Sequence, residues 1–181
     1  VQGVIDLSPP VQSEHILGVP VIGDLSLLCL ENYRSSFLHI AIGDNKKRMN
    51  MSQSLLDLGF EFATIIHPSS FICSSSTIGA GSFVSALAYV GPKVSIGSHT
   101  IVNSSSVLEH ESIVGSFVHV APNATICGRS KVGRLSFCGA SSTIIQSLTI
   151  LENTFIAAGS VVVRDTPSAG LNLKGIPASE L

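Results

Sequence analysis

From residue 72 to residue 167 the chain reads ICSSST-IGAGSF-VSALAY-VGPKVS-IGSHTI-VNSSSV-LEHESI-VGSFVH-VAPNAT-ICGRSK-VGRLSF-CGASST-IIQSLT-ILENTF-IAAGSV-VVRDTP. Cut in sixes, it puts Ile, Leu or Val first in every block except the one that begins at Cys138. The stretch is 96 residues long, sixteen hexads without insertion or deletion, and glycine takes the second place at 79, 91, 97, 115, 133 and 139. A fixed short period over such a length marks a solenoid. Six fits the 3.6-residue helical stripe poorly and is a multiple of the strand period of two. Each hexad therefore reads as a short strand and a corner. One apolar side chain enters a narrow interior, and the small residue after it, often glycine, supplies the backbone conformation of a sharp corner. Three corners close a coil of three hexads, so the sixteen hexads make five coils and one extra face. Stacked at the spacing of neighbouring strands, they give a parallel β prism roughly 25 Å tall.

Composition narrows the class of protein. In 181 residues, charged side chains are 12% and hydrophobic ones 45%, yet no apolar run approaches the ~20 residues a membrane span needs. Aliphatic columns inside and Ser and Thr on the outer faces account for the high hydropathy. A net charge of -2 gives no reason to expect a nucleic-acid partner. Cys29, Cys73, Cys127 and Cys138 lie far apart without CxxC spacing, which predicts free thiols in a reducing cytoplasm and neither a zinc cluster nor a disulfide framework. The first residues lack the basic end and apolar core of a signal peptide.

Before the repeat, the spacing predicts alternating strands and helices. Val1–Ile5 reads as a strand stopped by Ser8-Pro9-Pro10, and Gly18–Gly23 as a second extended piece. Asp24 is placed to cap a helix over 25–32, with Leu25, Leu28 and Cys29 on one face. Phe37–Gly43 is continuously apolar and reads as a buried parallel strand. Asp44 and Asn45 offer N-caps for a helix through Leu58, with Met51, Leu55 and Leu58 at helical spacing; Gly59 stops it and Phe60–Ile66 returns as a strand. Such alternation predicts a small α/β layer over 1–66. His67-Pro68 opens a joint over 67–71, the prism takes 72–167, and 168–181 caps its open end, which otherwise exposes a strand edge. Parallel sheets bind ligands beyond the carboxyl ends of their strands, where Asp6 and Gly43-Asp44-Asn45 sit. A helix cap and a turn are the other reading of those residues.

The chemistry is sought where the prism's pattern is broken. Leu108-Glu109-His110-Glu111 puts a histidine between two carboxylates on a wall otherwise made of Ser, Thr, Ala and Gly. A carboxylate bonded to one ring nitrogen fixes the tautomer and steadies the imidazolium, so His110 is placed for general-base work. A solvated histidine on a polar face is the alternative. His99, His110 and His119 raise a metal site as a rival, but their spacings of 11 and 9 do not repeat the three-hexad coil, and no metal is expected. Nine is half a coil, so His110 and His119 leave opposite sides of one prism and share a site only between two chains. A trimer of prisms with three clefts satisfies this.

Asn103-x6-His110-Glu111, Gly115-x-Phe117-x-His119-x-Ala121-Pro122, Ile65-Ile66-His67-Pro68, Ala41-Ile42-Gly43-Asp44-Asn45-x-x-Arg48, Ala157-Ala158-Gly159-Ser160-Val161-Val162 and Gly175-Ile176-Pro177-Ala178 together resemble the sialic acid O-acetyltransferase and bacillosamine N-acetyltransferase family of hexapeptide-repeat sugar acyltransferases. The resemblance spans nearly the whole chain. It implies a left-handed parallel β-helix preceded by a small, N-terminally incomplete Rossmann-like α/β domain that binds a nucleotide sugar, since members begin with a strand and a Gly-rich loop carrying a histidine, which the residues here follow. It implies acetyl transfer from acetyl-CoA to the amino group of a UDP-4-amino sugar, with O-acetylation of sialic acid or a capsular sugar as the alternative within enzymes and a noncatalytic trimeric scaffold outside them. It assigns His110 as general base, Glu111 as its supporting carboxylate and Asn103 as an ordering group. His119 would contact acetyl-CoA from the neighbouring subunit, with small residues around Gly128, Ala140, Ala157, Ala158 and Gly159 admitting the pantetheine arm. Lys174 and Arg164 would meet coenzyme phosphates; Asp6, Gly43, Asp44 and Asn45 would hold the nucleotide.

Overall fold

The computed structural model describes residues 1–7, 14–30 and 33–173. The stop at 8–10, the end of the segment expected to be helical over 25–32, and the tail from Lys174 onward lie outside the described residues. Each hexad contributes one short strand, and the strands stack in parallel with partners three hexads apart in the chain, as Tyr89 lies beside Val107 and Ile101 beside His119. Three sheets result. The first face runs from Phe71–Ile72 to Val161–Val162, the second from Thr77–Ile78 to Thr149–Ile150, and the third from Ile65–Ile66 to Phe155–Ile156. The coil is a left-handed parallel β-helix. Strand Ile65–Ile66 begins the third face one hexad before Ile72, and Asn172–Leu173 ends it by pairing with Phe155–Ile156.

The interior is fuller than a single apolar column. Val84, Val90, Val102, Leu108, Val120, Ile126, Ile144 and Ile156, all first in their hexads, are fully buried. The fifth hexad position is buried too, and it carries many of the Ser and Thr residues expected outside, including Ser82, Thr100, Ser106, Ser130, Ser136 and Thr154. Most of these hydroxyls find main-chain acceptors, for example Ser82 Oγ donating to the Gly97 carbonyl at 3.0 Å and Thr100 Oγ1 to that of Gly115 at 2.8 Å, while those of Ser112, Ser142 and Ser160 have none. A satisfied hydroxyl is tolerated in a core where an unpaired one is costly.

The corners also differ from expectation. The left-handed backbone falls on the fourth hexad position, every sixth residue from Gly81 to Gly159, and the twelve between are not glycine, among them Leu87, Lys93, His99, Glu111, Phe117 and Arg129. A side chain in that region costs of order 1 kcal/mol. The compensation is a hydrogen bond from each corner N–H to the coil below, such as Glu111 N–H to the Pro92 carbonyl at 2.9 Å and Asn123 N–H to that of Ser104 at 3.0 Å. The second-position glycines serve packing. A Cβ on Gly79, Gly97 or Gly133 would run into the backbone nitrogen of Ser98, Ser116 or Glu152 in the next coil.

Before the prism, Val4–Ile5 pairs in parallel with Val19–Gly23, against which His15–Ile16 runs antiparallel, while Phe37–Leu38 pairs in parallel with Glu61–Phe62. These are separate small sheets; the described residues do not form one Rossmann-like sheet. Asp24 caps a short 3-10 turn, Leu25–Cys29, and Asp44 caps the helix Asn45–Asp57 by accepting from Lys47 N at 2.8 Å. The apolar run from Phe37 is a strand only as far as Leu38, with Phe37 66% exposed, and the chain then leaves the sheet. Leu28, Ile40, Leu55, Phe60 and Phe62 form this layer's core, while Leu58 is exposed. No helix among the described residues is long and apolar enough to cross a membrane. All four cysteines are free thiols.

Candidate active site

His110 and Glu111 form the corner between the first face, which Leu108 ends, and the second, which Ile113 begins. Glu111 takes the left-handed conformation, and its carboxylate lies beside the ring of its neighbour. Nδ1 of His110 lies 3.3 Å from Oε2 of Glu111, and Nε2 makes no hydrogen bond among the described residues. Both side chains are about half exposed. The same Oε2 accepts from Nε of Arg129, one coil up, at 3.1 Å. Arg129 first, then His110, holds the Glu111 carboxyl below its usual range. Glu109, the other acidic neighbour, instead faces Cys127, whose thiol is raised chiefly by burial. Gly128 lies against the imidazole: a Cβ there would be 2.5 Å from Nε2 of His110.

A second group gathers at the third face. His119 stands outward from a strand whose next residue, Val120, is in the core. Asn103 leaves the same face one coil lower, and its Nδ2 lies 3.3 Å from Nε2 of His119. With the amide donating, the neutral ring carries its proton on Nδ1, an atom that is buried without a hydrogen bond of its own. Phe137 packs edge-on against the ring at 5.2 Å. Burial lowers the His119 pKa, the Gly43 carbonyl works the other way, and the nearby Arg48 charge lowers it further.

Asn103 thus joins His119, and His110 joins Glu111, at different corners of the prism. The other expected residues divide accordingly. Gly128 belongs with His110. Ala140, Ala157, Ala158 and Gly159 lie along the corner that leads from the third face to the first, in the coils above Asn103; the Gly159 N–H donates to the Ala140 carbonyl at 2.8 Å. Gly43, in the N-terminal layer, gives its carbonyl to Nη1 of Arg48 at 3.2 Å. Asp44 caps its helix. The Asn45 amide is committed to the prism, donating to the carbonyls of Leu135 at 3.1 Å and Ser136 at 2.9 Å. Asp6 follows the first strand, its N–H donating to the Gly23 carbonyl at 3.0 Å. Arg164 lines a cavity of about 380 Å³ at the far end of the prism, which neither His110 nor His119 reaches. Lys174 lies outside the described residues. His99 is buried and stacks on Phe117 at 5.1 Å. Among the described residues no three His, Cys, Asp or Glu side chains gather into a metal-sized group.

Two residues with defined partners at these corners escaped the sequence reading. Arg129 carried no signal except its position one full coil after Glu111. Arg48 was visible in the Gly43-Asp44-Asn45-x-x-Arg48 pattern, although nothing in that pattern shows that its side chain is fully buried.

No family model matches the chain. The GDP-perosamine N-acetyltransferase of Escherichia coli O157:H7 is 30% identical over 139 residues, which cover 77% of this chain and 55% of that protein, so the chain spans about half the length of this relative. The acetyltransferase domain of PglB from Neisseria gonorrhoeae FA1090 superposes with a TM-score of 0.86 at 29% identity, over 94% of this chain and 82% of that one. PerB from Caulobacter crescentus, solved in complex with CoA and GDP-perosamine, superposes with a TM-score of 0.83 at 32% identity, over 95% of this chain and 79% of that one. Through these relatives and its unbroken hexads, the chain belongs to the hexapeptide-repeat sugar acyltransferase family.

Proposed function

We propose that the protein transfers an acetyl group from acetyl-CoA to the amino group of a nucleotide-linked amino sugar, with His110 as general base. The observation that carries this reading is the His110 corner. Nδ1 faces a carboxylate, Nε2 makes no hydrogen bond among the described residues, and the wall it lies against is a bare glycine. Glu111 orients the ring and supports its charge as Nε2 takes a proton from the attacking amine; the new N–C bond forms at the thioester carbon, a backbone N–H steadies the oxyanion, and the C–S bond breaks to release coenzyme A, which regains the proton. Transfer is direct. Cys127, the thiol opposite Glu109, is held in its protonated form and is a poor candidate for an acyl carrier.

The nucleotide of the acceptor lies, on this reading, around Asp6, Gly43, Asp44 and Asn45, His119 meets acetyl-CoA from the neighbouring subunit beside the ordering amide of Asn103, and the pantetheine arm follows Ala140, Ala157, Ala158 and Gly159. Since His110 and His119 occupy different corners, the site closes between prisms, as a homotrimer with three clefts provides. Coenzyme A release, followed with a thiol reagent, is expected to depend on a UDP- or GDP-linked amino sugar. A hydroxyl-only sugar that works as well would favour O-transfer, and no dependence on any sugar would favour a scaffold. His110→Ala should lower kcat by roughly 10²–10⁴ with acetyl-CoA affinity nearly intact; unchanged turnover would refute the role of His110. Activity that persists in a monomer at high dilution would rule out the shared site.

A further inference from the structure

We infer that Arg48 is a positioning residue for the acceptor half of the site: it grips the carbonyls of Ile42 and Gly43 on one side and of His99, Phe117 and Val118 on the other, and so fixes the Gly43 turn against the prism. The link to the acceptor rests on the function proposed above; the grip itself does not.

The guanidinium is fully buried. Nη1 donates to the Ile42 carbonyl at 2.8 Å and the Gly43 carbonyl at 3.2 Å. Nε donates to the His99 carbonyl at 2.8 Å, and Nη2 to those of Phe117 at 3.2 Å and Val118 at 3.4 Å. Nη2 also donates to Oδ1 of Asn45 at 2.7 Å, and Asn45 in turn donates to Leu135 and Ser136. His99, Phe117 and Leu135 are equivalent corners of successive coils, and among the described residues their carbonyls accept no backbone N–H. Arg48 and Asn45 therefore read a column of acceptors that the strand ladder leaves over.

A buried cation whose hydrogen bonds all go to neutral acceptors, with only the nearby Asp44 charge to favour it, is an expensive way to join two layers, and apolar packing of similar volume often does it as well. What apolar packing lacks is direction. The rigid five-donor fork meets carbonyls from two layers in one geometry, which a lysine ammonium cannot reproduce. The group it fixes is the carbonyl side of the Ile42-Gly43 turn, which the proposed function places beside the nucleotide.

The test compares Arg48→Lys, Arg48→Met and Leu55→Ala, the last removing a buried side chain from the same layer. Amide exchange over residues 41–45 needs no substrate. It is expected to quicken about tenfold or more in Arg48→Lys, and to quicken clearly less in Leu55→Ala at a comparable loss of Tm. Unchanged exchange in Arg48→Lys, or an equal rise in both variants, overturns the grip. In turnover, KM for the nucleotide amino sugar should rise about tenfold in Arg48→Lys, with KM for acetyl-CoA within about twofold of wild type. An equal rise in both constants overturns the link to the acceptor. If wild type turns over no nucleotide sugar, the proposed function falls while exchange still decides the grip; if Arg48→Met does not fold, the lysine variant decides both points.

Discussion

At the scale of single residues, Gly128 offers a sharp test of the His110 corner. A methyl group there would meet the ring, which is half exposed and can swing aside, and the backbone is not in the left-handed region. Gly128→Ala should therefore keep Tm within about 2 °C while lowering kcat/KM tenfold or more, since a reacting group displaced by about an ångström can cost up to 10²-fold. Melting and steady-state rates check it, and unchanged turnover would mean that the ring works elsewhere. His110 and Glu111 were legible in the sequence because charged residues stand out against Ser, Thr and Gly. The partner of Asn103 was not, because its contact with His119 depends on which hexads share a face and on how far each side chain leans. Arg48 was visible but misjudged by silence: arginine is seldom fully buried, and only the column of unused carbonyls explains why this one is.

At the scale of the coil, the left-handed position and the crowded position are distinct, and they should answer differently to substitution. Gly97→Ala pushes a methyl into the Ser116 backbone and is expected to cost about 1–3 kcal/mol. Ser105→Gly relieves a left-handed side chain but frees the unfolded backbone, so its effect should stay within about 1 kcal/mol of zero. Urea denaturation measures both, and the reverse ranking would show the corner assignment to be mistaken. The hexad period made the prism readable because a buried aliphatic residue at the first place of nearly every hexad leaves an unambiguous record. Its corners were misread because Leu87, Lys93 and Phe117 are not residues that announce a positive φ. The N-terminal layer was harder still. Apolar continuity over Phe37–Gly43 suggested a buried strand, whereas the chain leaves the sheet after Leu38 and carries Gly43 to the prism, a path set by Arg48 and not by local propensity.

At the scale of the whole molecule, the joint that Arg48 makes between the layer and the prism should be sensitive to acid. His39, His99 and His119 lie around Arg48, and burial is the first cause of a lowered pKa in all three, with Arg48 adding to each. His99 is pushed down to about 4. An unfolded chain binds protons at these positions from about pH 6.5 downward, whereas the folded chain resists them. The unfolded state therefore holds more protons between about pH 6.5 and 4, and stability, full above that window, falls as the pH drops through it. Tm should be flat from pH 8 to 7 and decline from about pH 6.5 to 5, a range that leaves most carboxylates ionised. His99→Phe keeps the ring stack on Phe117 and the backbone carbonyl used by Arg48 while removing one titrating group. Its stability should fall less steeply with pH, by at most about 1.4 kcal/mol per pH unit, the value for one linked proton. A variant that loses stability along the same slope as wild type would place the acid-sensitive groups away from this joint.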